Sequence, residues 1–203
     1  MIRLFRGRLC VSIFSVILLL IISLSADAVF FYIALLGAFC HELAHIVAMR
    51  VCGARAERIT VYPCGADIRA NLSALSLNKE IFVFCAGPLI NLAIALLALL
   101  LYRLHSDIYV LAVILSNLAL FTINAFPVKG LDGGRVLFSV LLKMYDTDKA
   151  YGIFGAVSCT AFALLGALSL VLVWLSGYNL SLVLVWTYLF VAEYVKGRTG
   201  ENA

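Results

Sequence analysis

Hydrophobic residues occur along this chain in long runs, separated by short stretches that hold most of the charged residues. Six runs predict membrane-spanning helices, at residues 9–25, 28–50, 80–102, 108–126, 151–176 and 179–195. A spanning helix needs about 20 mostly apolar residues, so these runs account for most of the chain. The pattern therefore predicts an all-α polytopic membrane protein with about six transmembrane helices. We expect a single domain, 1–203, with its core at residues 28–145.

Composition supports a lipid environment. Of the 203 residues, 65% are hydrophobic and 13% are charged, and the mean hydropathy is +1.10, whereas about a quarter of the residues of a soluble domain are charged. The net charge of +4 is small and dispersed, so no nucleic-acid partner is expected. Arg3, Arg6 and Arg8 before the first run resemble a signal peptide, but the further runs favour a retained first helix.

The basic residues predict an orientation. In a six-span topology, 14 of the 15 Lys and Arg residues fall on one side, and Arg103 is the exception. The positive-inside rule assigns that side to the cytoplasm. We therefore expect an integral protein of a cytoplasmic membrane, with both termini and the stretches 51–79 and 127–150 on the cytoplasmic side.

Residues 58–69 alternate apolar and polar positions at their start and include Pro63 and Gly65. This pattern predicts a short β-hairpin on the cytoplasmic face, between the second and third spans. Two interpretations stay open. The hairpin edge could hold a substrate as an added strand, or the segment could be a loop that covers a metal site.

The second span contains the sequence His41-Glu42-Leu43-Ala44-His45. Two histidines four residues apart share one face of a helix, so both can bind a single zinc ion. A glutamate between them can accept a proton from a zinc-bound water. Ionisable residues inside a spanning segment are costly and usually functional. Three ionisable residues lie within these five positions. A metal site explains them better than the alternative, in which the histidines only form hydrogen bonds between helices.

A hydrolytic zinc site usually has three protein ligands and an open position. The remaining histidine, His105, is predicted on the opposite side of the membrane. Asp132 follows the inner end of the fourth span, on the side where the second span also ends. The residues on either side of Asp132 favour a break in the helix, because they include Pro127, Gly130, Gly133 and Gly134. Asp132 is therefore the candidate third ligand for one zinc ion per chain.

These motifs resemble a known family. HELAH in the second span, AGPLIN (residues 86–91) and NAFPVKGLDGGR (residues 124–135) are similar in order and spacing to those of the site-2 protease family of intramembrane zinc metalloproteases, peptidase family M50. The resemblance covers roughly residues 35–140. It implies zinc bound by His41, His45 and Asp132, with Glu42 as general base. It also implies hydrolysis of a membrane-spanning or membrane-associated protein substrate near the cytoplasmic side.

Four further residues are candidates for the site, and the resemblance implies the role of the first of them. Asn124 is a candidate donor to the substrate carbonyl or the developing oxyanion, or a residue that caps the end of a helix. Asn91 is expected to line a polar path to the site or to pack helices through its amide. Pro127 and Gly133 are expected to line the site.

The 51–79 stretch holds no PDZ-like segment, and no C-terminal regulatory domain is expected after Ala203. The compact six-span outline most resembles the stage IV sporulation protease branch, but that branch usually has a C-terminal regulatory domain, so this expectation departs from its pattern. The branch implies a bacterial cytoplasmic membrane, a regulatory substrate such as a pro-sigma factor, and membrane inhibitor or regulator proteins as partners. A stress-signalling protease is the alternative within the family.

Two other classes of protein use similar ligands. A divalent-cation transporter often has duplicated halves with broken helices. The sequence holds one HExxH and one LDGG, not repeats of either, so it does not show this duplication. A zinc-stabilised membrane scaffold usually has four ligands, and three candidates are present here.

Overall fold

The structure is a computed structural model that describes residues 2–4, 9–11, 28–54, 56–62, 65–70, 75–175, 183 and 186–187. Its helices are α1 (Ala28–Val51), α2 (Leu77–Leu104), α3 (Ile108–Ala125), α4 (Asp132–Met144) and α5 (Thr147–Leu175). All but α4 are long and apolar enough to cross a membrane. The shortest of these four, α3, has 18 residues and is about 27 Å long at 1.5 Å per residue. This is close to the roughly 30 Å thickness of the hydrocarbon core.

Four of the six predicted spans are confirmed as helices. The runs at 28–50, 80–102, 108–126 and 151–176 correspond to α1, α2, α3 and α5, with ends that differ by a few residues. In the first predicted span, residues 9–11 form a strand, because their backbone pairs with neighbouring strands, and residues 12–25 lie outside the described residues. Nearly all of the last span, 179–195, also lies outside them. A count of six spans therefore stays a prediction.

Four short strands form one small sheet: β1 (Ile2–Leu4), β2 (Leu9–Val11), β3 (Ala56–Tyr62) and β4 (Gly65–Ala70). Their order is β1-β2-β3-β4, so β1 and β4 are the edges. β2 and β3 are parallel, and the other two pairs are antiparallel. The segment predicted to form a hairpin, 58–69, overlaps both β3 and β4, and its residues 63 and 64 lie outside the described residues.

The spanning helices expose their large apolar side chains and bury small and polar ones. On α2, Leu97, Leu100 and Leu104 are exposed, whereas Ala95 and Asn91 are buried. Helices in a bilayer follow this distribution, because lipid solvates large apolar side chains and small residues allow close helix packing. The four apolar helices and this distribution identify a membrane protein.

The first compact unit, residues 1–124, has α1 and α2 packed against each other around Ala48, Met49 and Val83. Gly53, at φ +89°, ends α1 in a Schellman motif. In this motif the Gly53 N–H donates to the Arg50 carbonyl at 3.1 Å, and the Ala54 N–H donates to the Met49 carbonyl at 2.9 Å. The turn fixes the end of the helix that carries the two histidines.

The second unit, residues 125–203, contains α4 and α5, which pack around Leu141, Ala150 and Phe154. Helix α4 was not predicted from the sequence, where 127–150 was treated only as a connecting stretch. Its 13 residues are too few to span a bilayer. It begins after the extended residue Leu131, and the Asp132 carboxylate in its first turn complements the helix dipole.

Candidate metal centre

The two histidines of the HELAH sequence converge on α1. His41 and His45 lie one helical turn apart and are both buried. Their Nε2 atoms are 3.2 Å apart, and their rings meet nearly perpendicularly, with centroids 4.8 Å apart. The predicted pairing of the two side chains on one face of the helix is confirmed.

Helix α2 presents a stripe of residues to this pair. Val83, Gly87 and Asn91 are spaced four apart, so they lie on one face of the helix, and all three are buried. His45 Nδ1 donates to the Val83 carbonyl at 2.8 Å. His41 Nδ1 donates to Asn91 Oδ1 at 3.3 Å. Each histidine is therefore oriented by an oxygen of α2.

These partners assign the tautomers of both rings. A carbonyl oxygen only accepts hydrogen bonds, so each Nδ1 carries the proton and each Nε2 offers a lone pair. The 3.2 Å contact then joins two lone pairs, an arrangement that a shared cation stabilises. Zinc–nitrogen bonds of about 2.0–2.1 Å at a tetrahedral angle would place two nitrogens about 3.3 Å apart. The pair thus fits zinc in both spacing and protonation.

Gly87 leaves room at the point where the two nitrogens meet. A Cβ built there would lie 2.3 Å from His45 Nε2 and 2.6 Å from His41 Nε2. Both distances are far shorter than an ordinary van der Waals contact of 3.4 Å. A side chain at position 87 would therefore fill the space that a metal ion needs.

Asp132 is the third candidate ligand, and it lies buried in the first turn of α4. Among the described residues, His41, His45 and Asp132 are a group whose potential ligand atoms lie within 4.8 Å of one another. Two imidazoles and one carboxylate, with a fourth position left for water or substrate, are typical of catalytic zinc sites.

The backbone before Asp132 folds into two consecutive turns. The Val128 N–H donates to the Phe126 carbonyl at 2.8 Å, a three-residue turn around Pro127. The Leu131 N–H donates to the Val128 carbonyl at 3.0 Å. Gly130, at φ +96°, holds the third position of this β-turn, where a type II turn requires a positive φ. Pro127 and Gly130 thus shape the break in the helix that the sequence predicted.

The glycines after Asp132 act through close backbone packing. A Cβ at Gly133 would lie 2.2 Å from the Ala125 carbonyl oxygen, and one at Gly134 would lie 2.2 Å from the Val128 carbonyl oxygen. Only glycine allows the first turn of α4 to approach the preceding backbone so closely. For Gly133, the contact found in the structure is therefore with this backbone.

The remaining predicted residues have distinct positions. Glu42 is partly exposed, between the two buried histidines in the sequence. Asn124 donates its amide N–H to the Leu120 carbonyl one turn back, at 3.0 Å; this is a structural contact within α3. His105 follows the end of α2, is exposed, and is not part of the three-residue group.

Sequence reasoning placed Asn91 on a water path or in helix packing, and it missed Gly87 and the Val83 carbonyl. The spacing of positions 83, 87 and 91, each four residues from the next, was a readable signal of one helix face. Which helix that face meets depends on tertiary packing, so the signal could not show contact with the histidines.

Comparison with known proteins gives concordant matches. The family model described as Peptidase family M50 matches residues 29–107, a range that includes both histidines and ends before Asp132. A zinc metalloprotease of Methanocaldococcus jannaschii is 28% identical over 179 residues, which are 86% of this chain and 51% of that protein. The chain thus spans about half the length of this curated relative.

A solved structure is also similar. The site-2 protease from Methanocaldococcus jannaschii matches with 25% sequence identity and a TM-score of 0.65. The match covers 94% of this chain and 92% of that one. Taken with the paired histidines, the three comparisons agree in showing that this chain is similar to proteins of peptidase family M50.

Proposed function

We propose that this protein is a zinc-dependent intramembrane endopeptidase. The observation that carries the proposal is the buried group of His41, His45 and Asp132, in which both imidazoles direct unprotonated Nε2 atoms toward one point. In this proposal these three residues hold one zinc ion. The zinc metalloprotease and site-2 protease matches support the same chemistry.

The chain's own residues supply the acid–base chemistry. Zinc bound in such a site acts as a Lewis acid and lowers the pKa of a bound water to about 7. Glu42 accepts the proton of the attacking water and then delivers it to the leaving amine. Val83 and Asn91 keep the two imidazoles in the tautomer that leaves Nε2 available, a role that oxygen partners of ligand histidines commonly have.

We propose a membrane-spanning or membrane-associated protein segment as the substrate. The HELAH sequence lies on a helix apolar enough to span the bilayer, and this helix exposes Leu36, Phe39 and Leu43. These side chains suit lipid or another apolar helix. A substrate that lies in the same membrane reaches such a helix without leaving the lipid.

The finer assignments rest on sequence. The distribution of Lys and Arg supports cytoplasmic termini. The resemblance of the predicted six-span pattern to the sporulation protease branch supports a bacterial regulatory substrate such as a pro-sigma factor. Reporter fusions at Tyr178 and at the C-terminus test the orientation. We expect the reporter fused at Tyr178 to lie on the external side and the reporter fused at the C-terminus to lie on the cytoplasmic side. The reverse pattern would contradict the predicted orientation.

Glu42→Gln tests the function. We expect zinc near one per chain in both wild type and variant, and cleavage of a membrane-tethered reporter in proteoliposomes by the wild type alone. The same change at Glu80, a partly exposed glutamate in the first turn of α2, is the matched control and should keep full cleavage. Loss of a general base typically lowers the rate about 10²–10⁴-fold.

Each alternative result has a distinct meaning. A Glu42→Gln variant that cleaves like the wild type would remove Glu42 from the chemistry. A wild-type protein that binds no zinc and cleaves nothing would contradict the protease assignment. Zinc binding without cleavage would instead favour a transporter or a zinc-stabilised scaffold.

A further inference from the structure

The six residues 126–131, here called the ligand loop, connect α3 to Asp132. The hydrogen bonds of its two turns, Val128 to Phe126 and Leu131 to Val128, lie within the loop. Local bonds of this kind fix the shape of a loop. They do not fix where the loop sits relative to the rest of the protein.

The first turn of α4 moves with this loop. Gly134 packs so closely on the Val128 backbone that a Cβ would lie 2.2 Å from the carbonyl oxygen. The Arg135 N–H donates to the Leu131 carbonyl at 3.1 Å. Any displacement of the ligand loop is therefore transmitted to Asp132.

A serine on α5 ties the ligand loop to a long helix. The backbone N–H of Lys129 donates to Ser158 Oγ at 2.7 Å, across 29 positions of sequence. Ser158 is buried, with 8% of its surface exposed. By contrast, Thr160 and Ser169 on the same helix donate to carbonyls of α5 itself, those of Ala156 and Gly166. In the described part of α5, Ser158 therefore differs from these hydroxyl residues by reaching outside the helix.

We propose that Ser158 is a positioning residue for Asp132. This inference rests on the proposed function, in which Asp132 is a zinc ligand. The anchored amide lies only three residues before Asp132, and the Ser158 hydroxyl that accepts from it belongs to a buried residue. Zinc ligands must lie within about 0.2 Å of their ideal distance, and a misplacement of about 1 Å in an active site can lower a rate about 10²-fold.

Three variants separate positioning from general stability. Ser158→Ala removes the acceptor. Ser158→Thr keeps a hydroxyl on the same carbon, so it is expected to keep the hydrogen bond from the Lys129 N–H. Ser169→Ala is the matched control, because it removes another buried hydroxyl of α5 whose hydrogen bond is local.

Three measurements on the full-length protein in detergent or proteoliposomes test the proposal. They are zinc affinity by chelator competition, kcat/KM for a membrane-tethered reporter, and amide hydrogen exchange of peptides that cover 125–131. For Ser158→Ala we expect zinc affinity and kcat/KM to fall about 10–100-fold and exchange of the ligand loop to become faster. Ser158→Thr and Ser169→Ala should stay near the wild type in all three.

The outcomes separate this inference from the function on which it rests. If Ser158→Ala matches Ser169→Ala in exchange and in zinc affinity, Ser158 does not position the loop. If Ser158→Thr loses as much as Ser158→Ala, the effect belongs to packing, and the proposal is overturned. If the wild type neither binds zinc nor cleaves, the proposed function fails, and unchanged exchange in Ser158→Ala would refute the anchoring independently.

Discussion

Replacement of Gly87 by alanine tests the geometry of the two histidines directly. The added Cβ would lie 2.3 Å from His45 Nε2, 2.6 Å from His41 Nε2 and 2.7 Å from His41 Cε1. Ordinary van der Waals contact begins at 3.4 Å. Relief of the shortest contact therefore requires the methyl group and the His45 imidazole to separate by a further 1.1 Å or so.

This displacement is large compared with the tolerance of a metal–ligand distance, but its cost to the stability of the fold is modest. It is about five times the 0.2 Å tolerance of a metal–ligand distance, so zinc affinity should fall more than 100-fold. Overpacking of a core typically costs about 1–3 kcal/mol. The higher helix propensity of alanine offsets up to about 1 kcal/mol of that. We therefore expect a folded, zinc-free Gly87→Ala variant without cleavage activity.

The assay compares zinc content, zinc affinity and thermal unfolding of the purified protein. Gly155→Ala is the control, because a Cβ at this helical glycine meets nothing within 4 Å, and it should keep wild-type zinc. If Gly87→Ala holds one zinc per chain at wild-type affinity, no metal binds between the two Nε2 atoms. The reasoning about the site would then be refuted.

Three further predictions concern the surroundings of the site. Asn91→Leu removes the oxygen that accepts from His41 Nδ1 and should lower zinc affinity about 10–100-fold. The same change at Asn117, also fully buried, should leave zinc affinity unchanged. Equal losses of zinc affinity in the two variants would contradict the role of Asn91. Gly134→Ala should displace the Val128 backbone and lower kcat/KM, whereas Gly152→Ala, which has open space, should not; wild-type activity in Gly134→Ala would show that the close packing is dispensable. Removal of zinc by a chelator should abolish cleavage and added zinc should restore it; cleavage by the metal-free protein would exclude a zinc mechanism.

Local patterns of the sequence were enough to identify the spanning helices and the histidine pair. A hydrophobic run of spanning length can satisfy its backbone in lipid only as a helix or in a barrel, so four runs could be assigned without tertiary information. The histidines at positions 41 and 45 depend only on the period of the helix that carries them. The same holds for the break around Pro127, which proline and glycine impose on their own backbone.

The contacts that prepare the site depended on tertiary packing. His45 bonds to an oxygen 38 residues away, His41 to one 50 residues away, and Lys129 to Ser158 across 29 residues. No periodicity links such positions, because helix–helix register is set by how whole faces fit together. Helix α4 was also missed, since a short amphipathic helix has no spanning run. The sequence alone therefore determined which groups can bind a metal, and only the tertiary structure decided that α2 fixes their tautomers and leaves room for an ion at Gly87.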